Sequence, residues 1–550
     1  MSFRILIIAL FFFQTCSNAQ SSLEAYTGGW AATFETNSLF VFDVLLHLDK
    51  NASPILTLKG EHSTTTLTLE QEDHLWTIPL NEMASARLKI SDNVPILFMQ
   101  IGHHLCHIAL ENQDDTWVGT WELLINSIIA PTLYLSLENE QGLYASTFFK
   151  EPTFHYMMGV NFQDFGTYFQ FRDLRSSLRF TGKPKNNSIE LNLEFLNERV
   201  TLDMQRLAYD DWAIGSFDGA QNINLDQIDP QFHSLINDVL SDTLEQTHSI
   251  LLAQEGEILL EEYFDGFTSN TVHDTRSAAK TIGGAMMGIA IDEGLIHNDQ
   301  EKIKKFFTSE YPETNWSGGK DKIEIRHLLT MSSGLDAIDF GLNRNSYASE
   351  GAYQNTDDWT RRIIEAPMVN PVGQNANYGS GNPHLLGPII QQQISEPLEF
   401  FIHETLMKPL GRKNYRIQTT NEVKPYFGGG WYLSPRDQLA FAQLLLDNGF
   451  RNGQQIISEG WVNKTLMKHA RLENAFDKNE YGYLMWHKSY DISGQNVDSI
   501  EGRGSGGQYF FVVPQLKVAC VITSGNYRNG KGFQPERIFR DYILPVLLDK

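Results

Sequence analysis

The chain changes its hydrophobic pattern near residue 209, and this change limits the possible folds more than any other feature. From about residue 20 to 208, short segments such as 64–69 and 189–195 have the period-two or continuous apolar pattern of β-strands. After residue 209, helical patterns alternate with strand-like hairpins, which is typical of an α/β domain. With 550 residues the chain is too long for one ordinary core. The sequence therefore predicts a β-rich accessory domain at 20–208 and an α/β domain at 209–550.

The first region contains one short motif twice. The triplets Gly-Gly-Trp at 28–30 and Gly-Thr-Trp at 119–121 each open a strand-rich stretch. A Gly-x-Trp near the start of a barrel resembles lipocalin-like modules, but two triplets are equally compatible with chance. We predict either a β-sandwich or a lipocalin-like barrel, and the sequence does not reveal what this region does.

The second region begins and ends with strand-like hairpins. One hairpin spans residues 249–264 and another spans residues 509–523. We expect the two hairpins to share one antiparallel sheet. Between them, Ser434, Pro435 and Asp437 have the spacing of an N-cap, a first helical residue and a capping-box partner, so a helix is predicted there.

Ser277 and Lys280 carry the strongest chemical signal in the chain. They lie three positions apart at the start of an apolar, helix-like run at 281–291. Positions i and i+3 share one face of a helix, so the amine can reach the hydroxyl. A serine needs a nearby base to become a nucleophile, and a lysine held where its charge is disfavoured can serve. These four residues alone fit a surface helix equally well.

The same Ser-x-x-Lys pattern occurs again at Ser317 and Lys320. Two glycines separate the partners, and Trp316 and Pro312 lie just upstream. This composition predicts a loop without a fixed i,i+3 geometry. We therefore discount the second copy as a catalytic pair.

Further motifs extend the first copy into a family resemblance. The segments 274–280, 326–336, 428–437 and 506–514, in this order, resemble the serine β-lactamase-related, penicillin-binding-protein-like family over about residues 212–550. That family groups class C β-lactamases, D-Ala-D-Ala carboxypeptidases, D-aminopeptidases and some esterases. The resemblance implies an antiparallel sheet flanked by helices plus a helical subdomain, preceded here by the all-β accessory domain.

The resemblance also assigns roles to four residues. Ser277 would be the nucleophile, with Lys280 as its base, and Tyr378 would pass a proton between the Ser277 hydroxyl and the leaving group. A buried core tyrosine is the alternative for Tyr378. Ser380 stands where the family often has an asparagine that binds substrate. This change weakens the case for β-lactam turnover.

The segment Arg503 to Gly506 is the counterpart of the family's Lys-Thr-Gly motif. Arg503 keeps a positive charge that could bind a substrate carboxylate, or it could simply pair with a neighbouring acid. Ser505 and Gly506 are further substrate-binding candidates, and the amide near Gly506 could join that of Ser277 in an oxyanion hole. Two departures from three motifs argue against a dedicated β-lactamase.

The favoured function is an exported serine hydrolase that cleaves an ester, amide or peptide bond of a small molecule or peptide. The alternatives are a D-Ala-D-Ala carboxypeptidase or weak β-lactamase, and a non-catalytic binding protein that kept the fold. The chain has no Gly-x-Ser-x-Gly elbow of α/β-hydrolases. His403-Glu404 lacks the second histidine of a zinc-protease motif. No metal and no cofactor are predicted.

Charge and the N-terminus bear on partners and location. The 43 basic and 67 acidic residues give a net charge of −24, which argues against binding to nucleic acid or anionic lipid. Residues 1–19 have the pattern of a cleaved secretory signal, so a periplasmic or secreted protein is expected, with lipidation at Cys16 as the lesser alternative. No other stretch predicts a membrane helix. Cys106 and Cys520 are predicted to be free, buried thiols.

Overall fold

The structure is a computed structural model of the chain. It describes residues 22–33, 40–49, 52–123, 132–139, 143–149, 157–173, 177–207, 223–342, 344–475, 479–527 and 529–549. The predicted signal segment at 1–19, Cys16 and the predicted domain boundary between residues 208 and 209 lie outside these residues.

The first region is built from β-strands, as predicted. Its strands follow from alternating side chains: along 188–195 every second residue is buried, and the buried ones are aliphatic or aromatic. A short 3-10 turn, Ser22–Tyr26, precedes them. The strands are β1 (Gly28–Thr33), β2 (Val41–His47), β3 (Ile55–Lys59), β4 (Thr64–Thr68), β5 (Glu70–Glu72), β6 (Leu75–Asn81), β7 (Ala84–Ser91), β8 (Val94–Ile101), β9 (His104–Ile108), β10 (Glu111–Gln113), β11 (Thr116–Glu122), β12 (Thr132–Asn139), β13 (Leu143–Phe149), β14 (Met157–Asp164), β15 (Phe169–Asp173), β16 (Arg179–Pro184), β17 (Ser188–Phe195) and β18 (Glu198–Arg206).

A closed barrel forms from β1 and β12 to β18, in that order. β1 pairs with both β12 and β18, although ten strands lie between β1 and β12 in the chain. Closure removes the exposed strand edges that an open sheet would have. Of the two predicted architectures, this part of the region adopts the barrel.

The strands are spaced alike around the two Gly-x-Trp triplets, and the two stretches are here called the first and second repeats. A shift of 91 residues (121 − 30) places Trp30 on Trp121 and lays β2 over β12 and β8 over β17. The first strand of each repeat is exchanged: β1 completes the barrel of the second repeat, whereas β11 pairs with β2 and β10 of the first. Trp30 and Trp121 are each only 1% exposed, so both exchanged strands are anchored by a buried indole.

The second region contains the predicted mixture of strands and helices. Its strands are β19 (Thr247–Gln254), β20 (Glu257–Tyr263), β21 (His273–Asp274), β22 (Arg416–Gln418), β23 (Trp431–Leu433), β24 (Phe450–Arg451), β25 (Gln454–Gln455), β26 (Ala470–Arg471), β27 (Glu480–Tyr481), β28 (Trp486–Ile492), β29 (Gln495–Gly504), β30 (Gln508–Val513) and β31 (Val518–Ser524). Its helices are α1 (His233–Leu240), α2 (Lys280–Asp292), α3 (Lys304–Phe307), α4 (Ile325–Leu329), α5 (Glu350–Gln354), α6 (Trp359–Ile364), α7 (Gly381–His384), α8 (Leu386–Gln391), α9 (Leu398–Ile402), α10 (Pro435–Leu446), α11 (Glu459–Leu466), α12 (Gln534–Ile538) and α13 (Leu544–Leu548).

The main sheet of this region has the order β20-β19-β31-β30-β29-β28-β27-β26. β19 pairs antiparallel with β31, so the first and last hairpins share one sheet as predicted. Apolar clusters cover both faces: α2 and α10 belong to one cluster, and α1, α12 and α13 belong to the other. α10 starts as predicted, with a capping box between Ser434 and Asp437 and Pro435 at its first position.

A second eight-stranded sheet joins the two regions, in the order β21-β23-β22-β9-β8-β7-β6-β5. β22 pairs with β9, so Arg416 lies opposite Cys106 across this ladder. Arg87 also forms an ion pair with Glu399 at 2.7 Å. The accessory strands are therefore bonded to the sheet that carries β21, three residues before Ser277.

Two further predictions can be compared with the described residues. Cys106 and Cys520 are free and buried, as expected. Along the described part of the chain, no helix has both the length and the apolar character needed to cross a membrane.

Candidate active site

Ser277 and Lys280 meet as the spacing predicts. Ser277 lies on a 3-10 turn, Arg276–Ala279, that continues directly into α2, and Lys280 is the first residue of α2. The Nζ of Lys280 is 2.8 Å from the Oγ of Ser277. α2 is almost wholly buried, and Gly288 lets it pack closely, since a Cβ there would overlap the indole of Trp461. The nucleophile candidate thus stands at the end of a rigid core helix.

The turn that presents Ser277 is fixed by its neighbours. The amide and hydroxyl of Thr275 both donate to the carbonyl oxygen of Trp431, at 2.9 and 2.7 Å. Arg276 has a left-handed φ of 50°, which is uncommon for a residue with a side chain. Its amide donates to Asp274 at 3.0 Å and its guanidinium pairs with the same carboxylate. Such strained backbone persists only where surrounding contacts hold it.

The surroundings of Lys280 favour its charged form. It is 1% exposed, and it donates to the carbonyl oxygen of Gly428 as well as contacting Ser277. Burial lowers the pKa of the ammonium group, but Tyr378, Glu350 and Asp339 together outweigh burial and leave the pKa above its ordinary value. The expectation of a lysine whose charge is disfavoured is therefore not met.

Tyr378 joins the pair from the loop before α7. The ammonium group of Lys280 lies 5.3 Å from the centre of its ring. The ring stacks on that of Phe340 and contacts the tilted ring of Trp486, with centroids 5.2 and 5.3 Å away. Burial raises the pKa of the Tyr378 hydroxyl, while Lys280 and a hydrogen bond with Ser277 partly oppose that rise. Ser277, Lys280 and Tyr378 therefore form one interacting group.

Ser380 is directed into the protein. It is 1% exposed, and its hydroxyl and amide donate to the same oxygen of Asp339 at 2.7 and 2.8 Å. Asp339 also accepts the amide of Glu350 at 2.8 Å. Because its hydroxyl proton is already donated, Ser380 supports the loop behind Tyr378, and this arrangement argues against the predicted contact with substrate.

Arg503 is likewise engaged within the protein. Its guanidinium pairs with Glu501 at 2.7 Å and with Glu536 of α12 at 3.0 Å, and the residue is 8% exposed. These two carboxylates neutralise the charge that was predicted to bind a substrate carboxylate. Of the two alternatives from the sequence, pairing with neighbouring acids is the one observed. Arg503 therefore holds β29 against α12.

The neighbouring glycines bring β29 against the Ser277 turn. A Cβ on Gly504 would overlap the carbonyl oxygen of Thr275, so only glycine allows this approach. Ser505 is exposed beside it, and Gly506 has a left-handed φ of 81° under the ring of Tyr527. The tip of the β29–β30 hairpin thus lies beside Ser277, where the predicted oxyanion donors would be needed.

Sequence reasoning missed three residues that surround Lys280. Asp339 and Glu350 carry no motif signal, because a single acid in a loop or short helix has many structural uses. Gly428 belongs to the motif at 428–437, but the motif does not reveal that the Gly428 carbonyl oxygen binds Lys280. In the described part of the chain, no group of three or more His, Cys, Asp or Glu residues is arranged to hold a metal ion.

Comparisons with known proteins identify the family of the second region. The family model described as beta-lactamase matches residues 237–540. The 6-aminohexanoate-dimer hydrolase of Paenarthrobacter ureafaciens is 23% identical over 306 residues, which cover 52% of this chain and 74% of that protein. Protein flp of Staphylococcus aureus (strain MW2) is 24% identical over 215 residues, 36% of this chain and 41% of that protein.

A solved structure of a family VIII carboxylesterase superposes with a TM-score of 0.45 at 17% identity. The alignment covers 57% of this chain and 98% of that one.

Proposed function

Because the chain belongs to the beta-lactamase family, whose relatives include serine hydrolases, we propose that it hydrolyses an ester, amide or peptide bond through an acyl-enzyme on Ser277. One observation carries this proposal: the 2.8 Å contact between Lys280 Nζ and Ser277 Oγ, with the ring of Tyr378 beside the same lysine. A serine becomes a strong nucleophile when such a neighbour takes its proton.

The proposed reaction has two halves. In the first, Ser277 Oγ attacks the carbonyl carbon while its proton passes to the Lys280–Tyr378 pair, and the carbonyl oxygen becomes an oxyanion. The amides of Ser277 and of the β29–β30 tip near Gly506 would stabilise that charge. The intermediate then expels the leaving group, which takes a proton from Tyr378. In the second half, water attacks the acyl-enzyme by the reverse proton path and frees Ser277.

The resting charges define which form is active. The pKa values of Lys280 and Tyr378 are both raised above their ordinary values, so in the proposal the pair must lose one proton before it can accept the proton of Ser277. The two groups share one hydrogen-bonded site and titrate together. In the proposal Lys280 is the base and Tyr378 the relay, and the active form becomes more abundant as pH rises.

Esters and simple amides are the substrates that the site supports best. Ser380 and Arg503, the two side chains expected to bind a β-lactam or a peptide carboxylate, are both occupied within the protein. A D-Ala-D-Ala carboxypeptidase or weak β-lactamase would need those contacts from other residues. A non-catalytic binding protein is disfavoured by the assembled Ser277, Lys280 and Tyr378.

Covalent labelling tests the proposal. The purified protein is exposed separately to a fluorophosphonate and to a fluorescent penicillin, and the modified peptide is identified by mass spectrometry. We expect fluorophosphonate on Ser277, none in Ser277→Ala, and normal labelling in the matched variant Ser317→Ala. Labelling by penicillin as well would favour the carboxypeptidase alternative. Absence of an adduct on Ser277 with both probes would refute the hydrolase.

Export is a separate part of the proposal and rests on the signal pattern at 1–19. Cleavage after Ala19 predicts a mature chain that begins at Gln20. N-terminal sequencing of the protein recovered from its native cell fraction checks this. If the mature chain instead begins at a lipid-modified Cys16, the protein is anchored to a membrane and is not secreted.

A further inference from the structure

A half-buried acid and two buried tyrosines lie near Lys280, outside the three residues of the proposed reaction. Glu350 is the first residue of α5, and its carboxylate accepts the hydroxyl of Tyr426 at 2.7 Å. That hydroxyl also contacts the hydroxyl of Tyr353. Tyr353 and Tyr426 are at most 1% exposed, so water competes little for these hydrogen bonds.

Gly428 connects this network to the lysine. Its carbonyl oxygen accepts from Lys280 Nζ, while a Cβ on the same residue would overlap the hydroxyl of Tyr426. The Tyr426 hydroxyl therefore packs directly on the Gly428 backbone. Only one residue of main chain separates the Glu350–Tyr426 hydrogen bond from the ammonium group, and any larger residue would push them apart.

The titratable groups around Lys280 come from three segments of the chain. Tyr378 faces it from the loop before α7, Asp339 from the loop after α4, and Glu350 from α5. Arg276, on the Ser277 turn, faces Glu350 in turn. Asp339 is bound by the amide and hydroxyl of Ser380 and by the amide of Glu350, so local groups fix it. The Glu350 carboxylate instead accepts a hydrogen bond from the Tyr426 hydroxyl, which also contacts the Tyr353 hydroxyl.

We propose that Glu350 is a positioning residue that sets the protonation state of the Lys280–Tyr378 pair across Gly428, without touching substrate. The inference rests on the proposed function, since the pair has this role only in an acyl-transfer site. Together with Tyr378 and Asp339, the carboxylate favours the ammonium form of Lys280, so it raises the pH above which the pair can accept the proton of Ser277. Tyr426 donates to the carboxylate and Tyr353 contacts Tyr426, so both tyrosines hold Glu350 in place. Burial raises the pKa of the Glu350 carboxyl group, and Lys280 and the hydrogen bond from Tyr426 oppose that rise.

The sign of the effect follows from the charges. A negative charge near an ammonium group raises the pKa of that group, and removal of the charge lowers it. Glu350→Gln should therefore let the pair lose its proton at lower pH. Tyr426→Phe removes the hydrogen bond that favours the ionised carboxylate. It should therefore shift the pH at which the pair loses its proton in the same direction, but by less.

The test measures the rate of fluorophosphonate labelling of Ser277 as a function of pH, from neutral pH to about pH 11. This rate reports the nucleophile directly and needs no known substrate. In a plot of labelling rate against pH, we expect the rising limb to move to lower pH by about one unit in Glu350→Gln. We expect a smaller shift in Tyr426→Phe. The control Glu255→Gln, whose exposed partner is Lys517, should leave the limb unchanged.

Two results would overturn the inference. If both variants lower the rate equally at every pH, Glu350 has only a structural role. If both leave the limb in place, its charge does not reach the pair. Should Glu350→Gln fail to fold, as judged by circular dichroism, Tyr426→Phe decides alone. Lack of Ser277 labelling in the unmodified protein would refute the proposed function as well, whereas labelling with an unmoved limb refutes only the role of Glu350.

Discussion

The chain contains two Ser-x-x-Lys segments, and the structure gives them opposite environments. At Ser277 a 3-10 turn runs into a buried helix and the lysine points back to the serine. At Ser317 two left-handed glycines, with φ of 68° and 93°, turn the chain, and Lys320 donates to the carbonyl oxygen of Ile364 at 2.7 Å. Acids and Tyr378 raise the pKa of Lys280, whereas burial lowers that of Lys320. The backbone and the neighbours, and not the motif letters, therefore supply the chemistry.

The largest expected difference between the two copies concerns their lysines. Lys280→Met removes the base and should lower kcat/KM for an ester substrate by about 10³-fold, as loss of a general base does. Lys320→Met removes one hydrogen bond to a carbonyl and should leave kcat/KM unchanged. Steady-state hydrolysis of a chromogenic ester measures both. Equal losses in the two variants would show that the copies are not distinguished by their surroundings.

Tyr378 should account for the next largest difference in turnover between the two copies, because its ring lies beside the lysine of the first copy. Tyr378→Phe keeps the ring between Phe340 and Trp486 but removes the relay, so a loss of about 10²-fold in kcat is expected. The matched change Tyr311→Phe, near the second copy, should have no effect on kcat. A full-rate Tyr378→Phe enzyme would reduce this tyrosine to a core residue.

A substitution at Gly504 tests whether turnover at Ser277 depends on the adjoining strand β29. Gly504→Ala places a methyl group on the carbonyl oxygen of Thr275 and must move β29 away from the Ser277 turn. Displacement of oxyanion donors by a fraction of an ångström to one ångström should lower kcat by tenfold to about 10²-fold. Gly460→Ala, which meets open space in α11, is the control. Unchanged turnover in Gly504→Ala would remove β29 from the site.

The smallest effect should come from the second copy itself. Gly319 has a left-handed φ of 93° and open space around its missing Cβ. Gly319→Ala should therefore cost about 1 kcal/mol in the free energy of unfolding, from the backbone alone, with no change in kcat. Urea unfolding followed by tryptophan fluorescence measures the difference. Loss of activity in this variant would give the second copy a function that its structure does not indicate.

Local signals in the sequence predicted the elements that depend on local physics. Alternating side chains predicted the strands at 188–195, and the capping box at Ser434 predicted the start of α10. The Ser277–Lys280 contact was predictable because i,i+3 geometry is a property of one helical turn.

What the sequence did not reveal depends on residues far apart in the chain. Ser380 binds Asp339, and Arg503 binds Glu536, but neither partner carries a signal of its own. β9 and β22 are joined by backbone hydrogen bonds. The pattern of side chains along a strand does not show which distant strand its backbone will pair with. The raised pKa of Lys280 likewise depends on Glu350, which is 70 positions away (350 − 280).

The exchanged strands β1 and β11 have a consequence for how the accessory region is made and how it can evolve. β1 is made before its neighbours β12 and β18, which follow only after ten and sixteen further strands, so β1 lacks its partners while those strands are made. In the first repeat, one edge of β2 lacks its partner until β11 is made. Neither repeat is complete without a strand of the other. Once a duplicated segment has exchanged its ends in this way, a later deletion or transfer of one copy alone leaves two broken sheets, and the copies must be inherited together.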